Sequence, residues 1–171
     1  MAYTDAMQNR RHWILLATLI VAACGSVPPV AERPAASQTA PERQSTAKSN
    51  EVVLFALGLI DTGYRFGGKN PEAGLDCSGM VSYIFNQATG LKVTGNAAEI
   101  ARKGLPVEKS RLRPGDLVFF NTRNAPFSHV GVYIGDDRFV HAPSSTGRVR
   151  IDRLSASYFA ARFEAARSYF D

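Results

Sequence analysis

The stretch LDCSGMVSYIF, residues 75–85, places a cysteine between an acid and a serine in a chain that has only two cysteines. Four apolar residues follow the cysteine at helical spacing: Met80, Val81, Ile84 and Phe85. We therefore predict a helix that begins near Cys77, with Asp76 as its N-cap. The partial positive charge at such a helix start favours the thiolate. Cysteine is also among the most frequently buried residues, so this stretch alone fits either a nucleophile or an inert packed thiol.

The chain has three histidines, and His12 lies in an N-terminal segment that is predicted to be removed on export. His129 and His141 therefore remain as candidate bases for a thiol nucleophile. His129 opens the alternating stretch HVGVYIG, and His141 lies in the next stretch, RFVHA. Strand alternation puts both side chains on the same face of a predicted hairpin. A three-residue loop would pair His141 with Tyr133 rather than with His129. The two rings can therefore meet only through a bulge, a strong twist, or a pairing that is not a simple hairpin.

The elements expected to position these residues change in type along the chain. Helical periodicity predicts a helix from Glu51 that stops at Gly63, the helix at Cys77, and a weaker one over 96–103. Strand patterns follow at 116–120, 129–135, 138–142, 147–151 and within 162–170. This order predicts an α+β domain over residues 51–171, with N-terminal helices packed on a mostly antiparallel sheet.

The first 23 residues have the pattern of an export signal. Two arginines and His12 precede a mainly apolar run of eleven residues, 13–23, too short to cross a bilayer, which takes about 20 residues. The following residues, 25–50, are rich in proline, alanine and serine and are predicted to form a disordered tether.

The signal ends in VAAC, residues 21–24, which resembles a bacterial lipobox and predicts lipid attachment at Cys24. An ordinary cleavage site is the alternative. With Gly25 rather than Asp after the cysteine, an anchored protein would face the periplasm from the outer membrane, if the organism has one. Acylation of Cys24 would leave Cys77 a free thiol, whereas a Cys24–Cys77 disulfide would not.

Five short segments in order resemble the motifs of the NlpC family of papain-like cell-wall peptidases. They are YRFGG (64–68), LDCSG (75–79), RPGDLVFF (113–120), SHVGVYIG (128–135) and FVHA (139–142). The resemblance implies a papain-like NlpC fold in which Cys77 attacks an amide carbonyl. His129 would then be the general base and acid, and His141 would orient it by accepting its other N–H.

The same resemblance implies that Tyr64 and the backbone N–H of Cys77 stabilise the oxyanion. Asp76 and Ser78 match positions that contact substrate in some family members, although an N-cap and an ordinary first-turn residue are equally good interpretations. The implied substrate is a stem or cross-link peptide of peptidoglycan. No cofactor is expected, and a monomer is favoured.

Some alternatives stay open from the sequence. Residues 91–99, LKVTGNAAE, depart from the pattern of many relatives, so the bond that is cut is not indicated. A catalytically inactive wall-binding lipoprotein and a thiol acyltransferase or amidase would share these motifs. One cysteine and two histidines could bind a metal, but the sequence has no closely spaced pair of ligands to support such a site. It also has no nucleic-acid-binding motif.

The charge distribution fits two interpretations of the surface near the predicted strands. The net charge is +5, and four arginines crowd the strand region: Arg138, Arg148, Arg150 and Arg153. A basic rim would attract the carboxylates of stem peptides, whereas an ordinary solvated surface would have the same composition.

Overall fold

The computed structural model describes residues 39–170. The predicted signal peptide 1–23, the predicted lipidation site Cys24 and residues 25–38 of the predicted tether lie outside the described residues. Among the helices of residues 39–170, none is both long and apolar enough to cross a bilayer.

The described part of the chain contains helices and strands in the expected order. The helices are α1 (Ala40–Gly58), α2 (Cys77–Thr89), α3 (Ala97–Lys103) and α4 (Ser157–Ala160), with a 3-10 turn at Lys109–Arg111. The strands are β1 (Lys69–Asn70), β2 (Gly74–Leu75), β3 (Leu105–Val107), β4 (Leu117–Phe120), β5 (His129–Gly135), β6 (Arg138–His141), β7 (Arg150–Arg153) and β8 (Phe163–Ser168).

Six strands form one antiparallel sheet in the order β3-β8-β4-β5-β6-β7, and β1 pairs with β2 separately. Helices on an antiparallel sheet confirm the α+β prediction. Phe119 of β4 packs in the core cluster that contains Ile84 and Phe85 of α2. The next residue, Phe120, lies in a second cluster with Phe139 and Phe159. Neighbouring side chains of β4 thus enter opposite cores, so β4 is buried on both faces.

Helix α2 begins and ends as the sequence predicts. The Asp76 carboxylate accepts the Gly79 N–H at 2.7 Å, and Gly90 ends the helix at φ 72°. The four apolar residues after the cysteine are fully buried: Met80, Val81, Ile84 and Phe85. The cap and the apolar face together set Cys77 as the first residue of the helix and turn it towards the sheet.

The first helix corrects the predicted tether. Helix α1 begins at Ala40, so residues 40–50 are helical rather than disordered. Their composition is low in apolar bulk, but Ala, Glu, Arg, Gln and Lys are good helix formers, and Pro41 lies in the first turn, where its missing N–H costs nothing. The close approach of Ser49 to Gly115 shows that this part of the helix packs on the domain.

The strand predictions hold except at residues 147–151. Strand β7 starts at Arg150, because the backbone before it bonds to the segment after α1 instead. Tyr64 donates its N–H to Gly147 at 2.7 Å, and Val149 donates to Thr62 at 2.9 Å. This pairing brings Tyr64 beside the segment between β6 and β7. The short strands β1, β2 and β3 were not predicted.

Candidate active site

The β5–β6 hairpin has a different register from the one predicted. Asp136 and Asp137 form its two-residue turn with φ values of 50° and 63°, and the register shifts between Tyr133 and Gly135. His141 consequently pairs with Gly131 instead of Tyr133. The pairing prediction is wrong, but the irregularity that was expected to bring the histidines together is present as a β-bulge.

The two histidines meet diagonally across the hairpin. Nε2 of His129 lies 2.8 Å from Nδ1 of His141, and both side chains are buried. Gly131 leaves room for this arrangement, because a Cβ there would lie 2.6 Å from the Phe139 ring and 3.2 Å from the Cβ of His141. A larger residue at Gly131 would push the two strands or their rings apart.

Cys77, at the start of α2, lies next to strand β5 of the hairpin. It is a buried free thiol, and the backbone N–H of Val130, the residue after His129, points at its sulfur. Cys77, His129, His141 and Tyr64 all line one cavity of about 530 Å³. The fold thus brings together four of the residues singled out in the sequence, from the loop after α1, the start of α2, β5 and β6.

The thiol is less acidic than its place at a helix start suggests. Burial raises the pKa of Cys77, and the adjacent Asp76 carboxylate raises it further. The N–H groups of Val130 and Ser78 and the Arg123 guanidinium lower this pKa, but they do not overcome desolvation. The expectation of a thiolate set by the helix start is therefore wrong for the free protein, which holds a neutral thiol.

Both histidines are held neutral as well. Burial, His141 and Arg123 lower the pKa of His129 to about 3. Burial lowers the pKa of His141 to about 4, although Asp152 acts in the opposite direction. At neutral pH each ring therefore carries one proton and offers one unprotonated nitrogen.

Asp152 is one of two residues near the site that were not predicted from the sequence. Its Oδ2 lies 2.8 Å from Nε2 of His141, and its Oδ1 forms an ion pair with Arg150. The predicted strand ended one residue too early to include it. The signal was present, however, because alternation in β7 places Arg150 and Asp152 on the same side of the strand, next to the strand of His141.

Arg123 is a second residue missed by the sequence analysis. It lines the cavity, and its Nη2 donates to the Ser128 carbonyl at 3.1 Å. Of the four arginines expected to form a basic rim, only Arg150 lines the cavity. Arg138 instead forms an ion pair with Asp136 at 3.2 Å. Positive charge at the cavity therefore comes from Arg123 and Arg150.

Asp76 and Ser78 have structural partners. Besides capping α2, Asp76 accepts the Gly67 N–H at 2.9 Å and the Ser78 hydroxyl at 2.9 Å. Neither is among the described residues that line the cavity. Their geometry is that of a brace between α2 and the loop that follows Tyr64.

A metal is not indicated at this site. Within residues 39–170 there is no group of three or more His, Cys, Asp or Glu side chains placed to hold an ion. A second cavity, of about 630 Å³, lies between α1 and residues 105–116, but it contains neither the thiol nor a histidine.

A buried thiol at a helix start and paired imidazoles on an antiparallel sheet line the same cavity, an arrangement typical of papain-like thiol hydrolases. Residues 61–168, more than half of the 171-residue chain, match the profile of the NlpC/P60 family. The chain belongs to that family, which confirms the resemblance found in the sequence.

Individual relatives show how far the similarity extends. The chain is 37% identical over 124 residues to Escherichia coli (strain K12) "Murein DD-endopeptidase MepH", covering 70% of this chain and 46% of the relative. It is 38% identical over 119 residues to the "Gamma-DL-glutamyl hydrolase" of Bacillus subtilis (strain 168), covering 69% of this chain and 29% of the relative. The chain thus spans less than half the length of either protein.

A solved structure supports the fold. An NlpC/P60 family protein from Bacillus cereus ATCC 10987 superposes with a TM-score of 0.66 at 26% sequence identity. The match covers 72% of this chain and 40% of that protein.

Proposed function

We propose that this protein is a peptidoglycan endopeptidase that hydrolyses an amide in stem or cross-link peptides through Cys77, His129 and His141. The observation that carries the proposal is the 2.8 Å contact between the two histidines in the cavity that also contains the free thiol. Family membership and the names of the relatives, which include a murein DD-endopeptidase, support the substrate class.

The first half of the reaction forms an acyl-enzyme. As the Cys77 sulfur bonds to the amide carbonyl carbon, its proton moves to the unprotonated ring nitrogen of His129. The thiol and the imidazole start neutral, so charge separates only as the bond forms. The C–N bond then breaks, and His129 returns the proton to the leaving amine.

The second half consumes water. His129 removes a proton from the water as its oxygen bonds to the thioester carbonyl. The C–S bond breaks, and the proton returns to sulfur as the acid product leaves. His141 accepts the other N–H of His129 throughout, which holds the ring in place.

The oxyanion that forms in each half needs hydrogen-bond donors. Tyr64 supplies one, with the backbone N–H of Cys77 as the second. Burial raises the pKa of Tyr64, and the nearby Asp76 carboxylate, and Cys77 when it is ionised, raise it further, so the phenol keeps its proton at neutral pH. It can therefore donate to the oxyanion.

Arg123 suits a substrate that carries carboxylates. Its charge is close enough to affect the pKa values of Cys77, His129 and Tyr64, which places it beside the reacting atoms. Peptides of peptidoglycan carry free carboxylates near their amide bonds. We assign Arg123 to the binding of one of these groups.

We further propose that the mature protein is a lipoprotein anchored through Cys24, exported and facing the periplasm where the organism has an outer membrane. The support is the basic segment, the short apolar run and the VAAC pattern of the sequence. Mass spectrometry of the N-terminal peptide, compared between wild type and Cys24→Ala, tests this. A wild-type peptide without an acyl-modified cysteine would refute it.

The enzymatic proposal is tested with peptidoglycan and the full-length chain. We expect soluble fragments whose masses identify the hydrolysed amide bond. The D,D cross-link is the first bond to test and the γ-glutamyl amide is the second. Cys77→Ala should release none while keeping the wild-type melting temperature. Equal release by Cys77→Ala would contradict the mechanism, and binding of sacculi without release by the wild type would favour the wall-binding alternative.

A further inference from the structure

His141 has one polar partner on each ring nitrogen. Nδ1 faces Nε2 of His129 at 2.8 Å, and Nε2 faces Oδ2 of Asp152 at 2.8 Å. The ring is fully buried, with the rings of Phe139 and Phe159 at 4.8 and 5.2 Å between centroids. These aromatic neighbours restrict rotation, so both nitrogens keep their partners.

The Asp152 carboxylate determines which nitrogen of His141 carries the proton. A carboxylate oxygen only accepts, so Nε2 of His141 must be the N–H and Nδ1 must be the acceptor. Nδ1 of His141 can then only receive the N–H at Nε2 of His129. This leaves Nδ1 of His129 unprotonated and available for the proton of Cys77.

The Asp152 side chain is itself held in position. Its Oδ1 forms an ion pair with Arg150, which is paired with His141 across β6 and β7. Asp152 is the cross-strand partner of Phe139, one of the two aromatic residues that restrict the His141 ring. The sheet register therefore fixes the carboxylate relative to the imidazole.

We propose that Asp152 is a positioning residue that sets the tautomers of both histidines and thereby presents an unprotonated Nδ1 of His129 to the thiol. The proposal deepens the hydrolase function proposed above and rests on it for its effect on catalysis. Asparagine at position 152 offers both a donor and an acceptor, so it no longer dictates the tautomer of His141. A fraction of the molecules would then carry the proton on the wrong nitrogen of His129.

The kinetic test compares Asp152→Asn with a matched control, Asp136→Asn. Both changes remove a carboxylate that is paired with an arginine two residues away, but Asp136 is on the exposed turn. We expect Asp152→Asn to lower kcat about 10- to 100-fold, as loss of an orienting partner behind a ligating or catalytic histidine commonly does, with KM within about twofold of wild type. Asp136→Asn should change neither, and Asp152→Glu should recover part of kcat. Wild-type kcat in a folded Asp152→Asn protein would overturn the proposal.

Nitrogen-15 NMR of the histidine side chains tests the tautomers without any substrate. Wild-type protein at pH 7 should show His141 protonated at Nε2 and unprotonated at Nδ1, and His129 in the same form. Asp152→Asn should shift both toward a mixture, whereas Asp136→Asn should not. His141 protonated at Nδ1 in the wild type would overturn the proposal even if the variant fails to fold. A correct tautomer in a protein that releases no peptidoglycan fragments would refute the proposed hydrolase instead.

Discussion

The carboxylate of Asp76 accepts the backbone N–H of Gly67 at 2.9 Å, so the residue that caps α2 also holds the loop that follows Tyr64. One side chain therefore holds two parts of the site, the start of α2 with its thiol and the loop that follows Tyr64. Asp76 is placed to stabilise the site without lining its cavity.

Replacing Asp76 by alanine removes the cap and the brace together. We expect Asp76→Ala to lower the free energy of unfolding by about 1–2 kcal/mol, the usual range for a lost N-cap, and to lower kcat as well. Asp76→Asn keeps an oxygen acceptor and a good cap, so it should lose less than half as much stability. Denaturant unfolding of both variants measures the difference. Equal loss in both would show that the acceptor for the Gly67 N–H, which the amide NH2 of asparagine cannot replace, contributes more than the cap.

The first turn of α2 also depends on a close backbone contact. A Cβ on Gly79 would lie 1.9 Å from the carbonyl oxygen of Gly68, and this oxygen accepts the Asp76 N–H. We expect Gly79→Ala to lose about 3 kcal/mol or more, because backbone atoms must move. Gly58→Ala, also in a helix but with nothing within 4 Å, should be neutral or stabilised by up to about 1 kcal/mol. Thermal unfolding compares the two, and a Gly79→Ala protein as stable as wild type would contradict the close contact.

The buried histidines should make stability depend on pH in the acidic range. The pKa values of His129 and His141 are lowered to about 3 and about 4 from 6.5. Below pH 6.5 the unfolded chain binds protons at both positions while the folded protein does not, so unfolding becomes more favourable as pH falls toward 4. Above pH 6.5 this contribution to stability is complete and constant.

Guanidinium unfolding at several pH values between 4.5 and 8 measures this dependence. His129→Gln removes one of the two titrating groups, so its stability should fall less steeply below pH 6.5 than that of the wild type. The same slope in both proteins would show that His129 is not held neutral by burial.

Arg123 should affect substrate binding more than protein stability. We expect Arg123→Gln to raise KM about 10-fold, the value of a charge-assisted hydrogen bond to a substrate carboxylate, and Arg123→Lys to raise it less. Arg148→Gln removes an arginine that does not line the cavity and serves as the control. Steady-state kinetics on a defined muropeptide measures these effects. An unchanged KM in Arg123→Gln would remove Arg123 from substrate binding.

Features encoded by neighbouring residues were predictable from the sequence. The start of α2 at Cys77, its Asp76 cap and its apolar face depend on signals within a few residues of each other. Alternation likewise located the strands of both histidines, and five ordered motifs identified the family. The helicity of residues 40–50 was missed because low apolar content was weighed above helix propensity.

The active-site geometry depends on contacts between distant segments, and the sequence did not predict these. The two-residue turn and the one-residue bulge in β5 together move the pairing of His141 by two positions, from Tyr133 to Gly131, and the register of β7 brings Asp152 to His141. The pKa of Cys77 also depends on contacts between distant segments. Residues 75–85 are enough to predict that the helix starts at Cys77, but the desolvation that raises the pKa of the thiol arises only when the sheet covers it.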